Sequence, residues 1–173
     1  GYLKEGATHV FTISAEGGSP RQITKGEADF GSPAWLGNGS LLVVGNDAPD
    51  RDLDPIESDI YRVNLSDLSK TKITDRDGPD HSPSVSPDGK TIAFGSDRSD
   101  VPDLNYGTDI FIFKVDADEP VLTQVTSNPG RDFSPAFSPD SKSIAYVTST
   151  GPDVGGSALT PTKYLAATEI GAD

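Results

Sequence analysis

The strongest constraint on the fold of this chain is a pair of short motifs that recur about 50 residues apart. One motif is a Ser-Pro pair followed by a tight turn and an apolar segment, and it begins at Ser32, Ser82 and Ser134. The other is an apolar segment that begins at His9, Asp59 and Asp109 and is followed by a short segment ending at Thr24, Thr74 or Thr126. A fixed period of this length indicates a repeat architecture, in which each repeat is one supersecondary unit.

The repeated segments have the pattern of β-strands that are packed on both faces. In the segment that begins at Asp109, Phe111 and Phe113 fall on one face and Ile110 and Ile112 on the other, because side chains alternate along a strand. No window of about 11 residues shows a convincing helical stripe. The sequence therefore predicts strands throughout.

The turns between paired strands support this interpretation. Ser86-Pro87-Asp88-Gly89 combines a proline that presets φ with a glycine that accepts a positive φ. Leu36-Gly37-Asn38-Gly39 is predicted to form the corresponding turn in the first repeat. In the third repeat Ser141 stands where Gly89 stands, so we expect a non-glycine residue at positive φ, which costs on the order of 1 kcal/mol.

Each repeat thus contains four predicted strands, the unit of a propeller blade. We predict an all-β fold, a partial β-propeller of about 3.5 four-stranded antiparallel blades. Residues 1–173 form a single incomplete domain, divided into the end of one blade (8–24), two blades (30–74 and 80–126) and the start of another (134–170). Closure needs at least about four blades, so we expect the chain to belong to a larger propeller or to self-associate through open blade edges. Its start at Gly1 leads us to expect a processed chain or an excised fragment.

Charge and composition exclude several classes of partner and chemistry. The formal net charge is −13, which repels phosphate backbones and anionic lipids, so we predict no nucleic-acid and no membrane partner. The chain has no Cys, which removes disulfides, thiolate nucleophiles and zinc sites built on sulfur. We predict no cofactor. The absence of cysteine fits the cytoplasm slightly better than the periplasm and leaves the compartment open.

The repeat from Ser82 to Phe94, with the following Asp109-Ile-Phe segment and the closing Gln124-Val-Thr segment, resembles the propeller repeats of two groups. One group is TolB of the periplasmic Tol system. The other is the propeller domain of the prolyl oligopeptidase family of serine peptidases, especially its acylaminoacyl-peptidase and dipeptidyl-aminopeptidase branches. Three segments resemble the peptidase group in particular, namely the lead-in at 1–11, the long insertion at 50–61 and the blade boundary at 126–135.

The resemblance implies a parent protein in which an α/β-hydrolase domain with a Ser-Asp-His triad follows the propeller. In that family the propeller covers the active site and limits substrate size. The chain itself lacks the Gly-x-Ser-x-Gly pentad of a nucleophile elbow, because Gly155-Gly156-Ser157-Ala158-Leu159 fails at its last position. We therefore predict no catalytic residue in this chain.

The leading functional hypothesis is a non-catalytic segment that gates or filters peptide substrates of such a peptidase. Its expected partners are the remainder of the propeller, the hydrolase domain and peptides. The alternative is a TolB-like scaffold that binds proteins and has no enzymatic partner domain. An enzyme that uses only these residues is the weakest of the three hypotheses.

A weak calcium candidate lies in the insertion. Asp50, Asp52 and Asp54 alternate like the start of a calcium loop, but Pro55 and Tyr61 replace the glycine and glutamate that an EF-hand requires. A solvated acidic loop is favoured over an irregular site completed by Glu57 or Asp59.

Weak peptide-binding candidates precede the Ser-Pro strands. Asp29, Asp80 and Asp132 occupy nearly equivalent places, where carboxylates that cap the local backbone are favoured over an acidic ring that attracts the amino end of a peptide. His81 is interpreted as a packing or rim residue. His9 is interpreted as the structural equivalent of Asp59 and Asp109.

Two sets of aligned residues are predicted to be core. The first set is Trp35, Val85 and Phe137. The second set is Phe11, Tyr61 and Phe111. They are expected to fill the space between neighbouring blades. On this hypothesis Trp35→Ala destabilises the protein by about 3–5 kcal/mol.

Overall fold

The computed structural model describes residues 6–75, 78–97, 107–115, 121–127, 130–149 and 168–169. Within these ranges every regular element is a β-strand, and every pairing between named strands is antiparallel. The same residues contain no helix with the length and apolar character that a membrane crossing requires. The pentad-like segment at 155–159 lies outside the described residues.

The described strands form four sheets in chain order. Sheet 1 contains β1 (Phe11–Thr12) and β2 (Arg21–Gln22). Sheet 2 contains β3 (Phe30–Leu36), β4 (Ser40–Gly45), β5 (Asp59–Asn64) and β6 (Lys70–Lys72). Sheet 3 contains β7 (Asp80–Val85), β8 (Thr91–Ser96), β9 (Asp109–Lys114) and β10 (Thr123–Gln124). Sheet 4 contains β11 (Arg131–Phe137), β12 (Ser143–Ser149) and β13 (Thr168–Glu169).

Within each four-stranded sheet the spatial order of the strands follows the chain order, which is the topology of a propeller blade. The first strands of successive sheets lie side by side, β3 against β7 and β7 against β11. The chain is therefore an all-β partial propeller, as the repeats predict.

Apolar side chains fill the three spaces between successive sheets. Phe94, Phe111 and Phe113 of sheet 3 pack with the sheet 2 residues Leu42 and Ile60. On the opposite side of sheet 3, Ala93, Ile110 and Ile112 pack with Ile144 of sheet 4. A third cluster, between sheets 1 and 2, includes Val10, Ile23, Phe30, Leu41, Val43 and Tyr61. The predicted alternation of β9 is thus confirmed, because both of its faces are buried.

The tight turns follow the predicted chemistry, with one exception in register. Gly37 and Gly89 have φ values of 61° and 74°, and Ser141 has a φ of 64°, so the strained serine is confirmed. The first turn is one residue shorter than the other two. As a result Ser40, which pairs with Asn64, is the structural equivalent of Thr91. An alignment of the first and second repeats without a gap is therefore wrong by one residue after this turn.

A bulge that sequence analysis missed interrupts each first strand at its Ser-Pro pair. Ser32, Ser82 and Ser134 have positive φ values of 47°, 53° and 54°. A proline cannot donate a ladder hydrogen bond, and within a sheet it is found at edges and bulges. Proline ordinarily keeps the residue before it in an extended conformation and out of helical geometry. The local sequence therefore did not predict a left-handed serine at this position.

A threonine ties the outermost strand of a sheet to the strand before it. Main-chain N–H groups donate to the threonine hydroxyl at 2.9, 2.9 and 2.8 Å in sheets 1, 2 and 3, from Val10 to Thr24, from Ile60 to Thr74 and from Ile110 to Thr126. These atoms are buried, so each hydroxyl satisfies a donor that water cannot reach. The recurrence of threonine at the end of each repeat therefore has a structural cause.

Replacing Thr74 by valine is expected to lower the free energy of unfolding by about 1–3 kcal/mol, because it leaves the buried N–H of Ile60 without its acceptor. Urea-induced unfolding measures the change. Thr74→Ser is the matched control, since it keeps the hydroxyl and removes only a methyl group. Equal losses in the two variants would show that packing, and not the hydrogen bond, is responsible.

Two residues that were predicted to be core are exposed. Trp35 is 58% exposed and Phe11 is 53% exposed, whereas Tyr61 and Phe111 are buried and Val85 and Phe137 are half-buried. The alignment places Trp35 correctly on a strand, but its face points away from sheet 3. On that side the described residues supply only β1 and β2, which do not reach over Trp35. The prediction that Trp35 is core is therefore wrong for this chain.

Candidate functional site

An acidic cleft lies at the end of the sheets where the chain passes from one blade to the next. It forms between the β2–β3 connection and the β4–β5 loop (residues 46–58) and has a volume of about 660 Å³. Its polar lining comprises Glu27, Asp29, Asn46, Arg51, Asp52 and Asp54. The volume falls within the range of small-ligand sites, and the excess of carboxylates favours a cationic ligand.

Internal hydrogen bonds hold the β4–β5 loop in one conformation. Asn46 accepts a hydrogen bond from the Ala48 N–H at 3.0 Å and donates to the Asp54 carbonyl at 3.3 Å. Glu57 accepts a hydrogen bond from the Gly78 N–H at 2.8 Å, which ties the loop to the next blade connection. The Arg51 guanidinium lies 3.4 Å from Glu27 across the cleft. The loop is therefore an ordered wall of the cleft.

Asp47 anchors the start of this loop. Its carboxylate accepts a hydrogen bond from the Tyr61 hydroxyl at 2.6 Å and forms an ion pair with Lys70. The Lys70 ammonium also lies 4.3 Å from the centroid of the Phe30 ring, a cation–π distance. Partial burial raises the pKa of Asp47, but the hydrogen bonds from Lys70 and Tyr61 outweigh it, and the pKa lies below its usual value.

The calcium candidates are not gathered around one point. Asp52 and Asp54 line the cleft. Asp50 lies in the preceding turn, where its carbonyl accepts a hydrogen bond from the Leu53 N–H at 2.7 Å. Among the described residues, no group of three or more His, Asp or Glu side chains is arranged to hold a metal ion.

The three peptide-binding candidates lie in two different environments. Asp80 and Asp132 are buried, and Asp80 accepts a hydrogen bond from the Ser96 hydroxyl. The main-chain N–H groups of Asp80 and Asp132 donate to carbonyl groups of the preceding sheet. In sheet 2 the residue whose N–H makes the corresponding hydrogen bond is Phe30. Asp29 is therefore one position out of register with the other two. It is exposed, lines the cleft and accepts a hydrogen bond from the Thr8 N–H at 2.6 Å.

Carboxylates also accumulate at the other blade junctions of this end. Burial raises the pKa of Glu57, and the charges of Asp59, Asp54 and Asp80 raise it further. Burial likewise raises the pKa of Asp109, with contributions from the charges of Asp132 and Asp97. For Glu57 and Asp109, therefore, burial disfavours ionisation most, and the neighbouring carboxylate charges add to it.

The two histidines make contacts within the fold. The His9 Nδ1 atom lies 3.3 Å from the Thr24 hydroxyl, in the place where Asp109 contacts Thr126 at 3.3 Å. His81 packs so closely against Gly95 that an added Cβ there would lie 2.3 Å from the imidazole Cε1. Burial lowers the pKa of His81, and the charge of Arg131 lowers it further.

We expect this lowered pKa to make stability depend on pH through His81. The folded state favours the neutral imidazole, so stability is complete above the ordinary histidine pKa of about 6.5 and is lost as the pH falls below it. In His81→Phe, which introduces the residue found at the equivalent position 133, this component disappears. Melting temperatures at pH 7.5 and 5.0 test it, and an equal acid-induced loss in both proteins would contradict it.

Sequence analysis missed the cleft itself. It identified Asp29 and the acidic insertion separately, but Glu27 and Arg51 were not singled out. The available signal was the length of the β4–β5 loop, because long ordered loops in compact domains are commonly functional. The sequence does not show which segment the β4–β5 loop faces, because that depends on how the sheets stack.

Comparison with known families gives one extensive match. The family model described as the dipeptidyl peptidase IV N-terminal region matches residues 2–103. Dipeptidyl-peptidase 5 of Aspergillus oryzae is 42% identical over 72 residues, which is 36% of this chain and 10% of that protein. The chain therefore spans about a tenth of the length of the curated dipeptidyl-peptidases that it matches.

Solved structures of similar fold include propellers with and without peptidase names. TolB from Acinetobacter baumannii superposes with a TM-score of 0.64 at 23% identity, over 85% of this chain and 32% of that one. The Pyrococcus horikoshii acylaminoacyl peptidase superposes with a TM-score of 0.54 at 21% identity, over 77% of this chain and 19% of that one. At these identities the similarity establishes the propeller fold.

Proposed function

Because this chain belongs to the family of the dipeptidyl peptidase IV N-terminal region, we propose that it is a propeller segment that gates or filters peptide substrates for a serine peptidase. The observation that carries the proposal is the match of the family model over residues 2–103. The reaction itself is assigned to a hydrolase domain elsewhere in the parent protein, since the chain has no Gly-x-Ser-x-Gly pentad.

Gating can be tested in the full-length parent protein by comparing kcat/KM for an aminoacyl nitroanilide with that for a peptide of about 20 residues. A variant that loosens one blade interface, Ile144→Ala, is expected to raise the ratio of long-peptide to short-substrate turnover, because Ile144 is buried between sheets 3 and 4. Lys142→Ala, in an exposed turn of the same sheet, is the matched control. An unchanged ratio in a folded Ile144→Ala protein would remove the gating role and leave the peptidase assignment intact.

We further propose that the acidic cleft attracts the amino end of a peptide. Asp29 is the one of the three candidates that a ligand can reach from solvent, whereas Asp80 and Asp132 are buried. In the parent protein, Asp29→Asn is expected to raise KM for peptides with a free amino terminus and to leave KM unchanged for the same peptides after N-acetylation. An equal rise for both substrates would indicate a structural effect.

Trp35 and Phe11 are exposed on two different sheets, and both exposures support membership in a larger ring. Tyr61 and Phe111, the counterparts of Phe11, pack against a preceding sheet, and Val85, the counterpart of Trp35, packs against the cluster between sheets 2 and 3. We propose that further strands of the parent cover Trp35 in the same way. On this proposal Trp35→Ala destabilises the parent propeller by about 3–5 kcal/mol, well above its effect in the 173-residue chain.

A TolB-like scaffold is the second candidate, favoured by the higher TM-score to TolB than to the acylaminoacyl peptidase. It predicts a parent protein without nitroanilide hydrolysis and without a serine that reacts with a fluorophosphonate probe. Labelling of the parent by such a probe would exclude the scaffold and support the peptidase.

A further inference from the structure

The turn between β3 and β4 contains the one Asn-Gly pair of the chain, Asn38-Gly39. The pair lies at the end of sheet 2 opposite the acidic cleft, and both of its residues are exposed. Asparagine is among the chemically labile residues of proteins. Its side-chain amide is lost when the main-chain nitrogen of the next residue attacks the Asn Cγ atom, and a following glycine leaves that approach open because it has no Cβ.

The geometry of this turn leaves both reacting groups accessible. Among the residues that the structure describes, neither the Asn38 side chain nor the Gly39 N–H has a hydrogen-bond partner. No described atom outside the adjacent residues lies within 4 Å of the position that a Cβ of Gly39 would occupy. Solvent base can therefore remove the Gly39 amide proton, and the nitrogen can reach the Asn38 Cγ atom without displacing a packed group.

The corresponding turn of sheet 3 is protected at the same two points. The Gly89 N–H donates to the Ser86 carbonyl at 2.8 Å. The Asp88 carboxylate accepts hydrogen bonds from the Ser86 hydroxyl at 2.6 Å and from the Lys90 N–H at 3.0 Å. These hydrogen bonds lower the pKa of Asp88, and an ionised carboxylate is a poor electrophile. The Asp-Gly pair of this turn is therefore held in an unreactive form.

The other asparagines that the structure describes are held by hydrogen bonds. Asn46 is fixed within the β4–β5 loop by the two contacts described above. The Asn64 Oδ1 atom accepts hydrogen bonds from the N–H and the hydroxyl of Ser66, at 2.9 and 2.8 Å. The nitrogen that would attack Asn64 belongs to Leu65, and its N–H donates to the Gly39 carbonyl at 2.9 Å. Asn38 thus differs from both in the freedom of its side chain.

We propose that Asn38 is a site of spontaneous deamidation. The Gly39 nitrogen gives up its proton to solvent base and bonds to the Asn38 Cγ atom, and the side-chain nitrogen takes up a proton and leaves as ammonia. The product is a five-membered succinimide. Water then adds to one of the two ring carbonyls and opens the ring, which gives aspartate or, when the main chain continues through Cγ, isoaspartate. The reaction needs water and base alone and does not depend on the function of the parent protein.

Isoaspartate adds one atom to the main chain of a turn that is already one residue shorter than its two counterparts. The Gly39 carbonyl ties this turn to the β5–β6 hairpin through the Leu65 N–H, and the longer main chain moves that carbonyl. We expect the melting temperature of the isoaspartate form to be lower by about 2–4 °C, the shift for the loss of about one hydrogen bond in a chain of this size.

Incubation of the 173-residue chain at mildly alkaline pH, followed by peptide mapping, tests the site. Deamidation adds about one dalton to the peptide that contains Asn38, and an isoaspartyl methyltransferase labels the isoaspartate product. Gly39→Ala is the matched control, because the fold has room for the methyl group while that group hinders the approach of the nitrogen to Cγ. The expected result is deamidation of Asn38 at least about tenfold faster than that of Asn64, and at least about tenfold faster than in Gly39→Ala.

Three outcomes would overturn the proposal. Equal rates at Asn38 and Asn64 would show that the fold does not distinguish the two sites. An unchanged rate in Gly39→Ala would show that the open approach of the Gly39 nitrogen is not what makes Asn38 reactive. In urea the ratio of the Asn38 rate to the Asn64 rate is expected to fall, because Asn64 loses its hydrogen bonds, and an unchanged ratio would assign the difference to local sequence alone.

Discussion

Replacing Phe94 by alanine is expected to lower the free energy of unfolding by about 3–5 kcal/mol, the range for a large aromatic side chain in a core. Phe94 is completely buried between sheets 2 and 3. Its ring centroid lies 6.2 Å from that of Phe111 and 5.9 Å from that of Phe113. The truncation leaves a cavity that neither neighbour can fill without leaving its strand position, and urea-induced unfolding of the 173-residue chain measures the loss.

Trp35→Ala is the control in the same chain. Although tryptophan is larger, its exposure means that the substitution removes little buried area, and we expect a loss of about 1 kcal/mol or less. A loss as large as that of Phe94→Ala would show that the face carrying Trp35 is covered in solution, for example by a second copy of the chain.

Gly45→Ala is expected to destabilise the chain by about 3 kcal/mol, the upper end of the range for an overpacked core. A Cβ at this position would lie 2.5 Å from the Asp29 carbonyl oxygen and 2.6 Å from the Phe30 ring. One obstacle is backbone and the other is a fully buried ring, so neither can move aside at low cost. Thermal unfolding of the variant and of the parent sequence gives the change.

Gly39→Ala provides the comparison for this prediction. Gly39 has no neighbour within 4 Å of an added Cβ and no positive φ. Alanine there should be neutral or stabilise by about 0.4–1 kcal/mol, because it reduces the conformational freedom of the unfolded chain. If both substitutions destabilised equally, loss of glycine as such, and not the clash at position 45, would be the cause.

The repeat made most of the fold predictable. Strand alternation and turn chemistry depend on neighbouring residues, and so the two faces of β9 and the left-handed Ser141 could be derived from local patterns. The left-handed serine before each proline could not, because the bulge that requires it depends on pairing with the next strand. The shorter turn at Gly37 offsets the alignment of the first repeat by one residue, and this offset too becomes visible only from the pairing of the strands.

The candidate site was less predictable. The acidic insertion and Asp29 are visible in the sequence, yet the cleft forms only where the β4–β5 loop meets the β2–β3 connection of the neighbouring sheet. Asp80 and Asp132 look like Asp29 in the sequence. Asp80 and Asp132 occupy the position of the buried Phe30 in sheet 2, whereas Asp29 lies one position earlier and is exposed, and this difference in register separates two buried carboxylates from one that a ligand can reach.

The sequence by itself determined the blade unit, the strand identities and the turn residues, and it shows no Gly-x-Ser-x-Gly pentad, because each of these is encoded within a few consecutive residues. Only the tertiary structure decided which side chains are covered. Burial depends on the adjacent sheet, and for that reason Phe111 is core whereas its counterpart Phe11 is exposed, and Trp35 is exposed although its counterpart Val85 is half-buried.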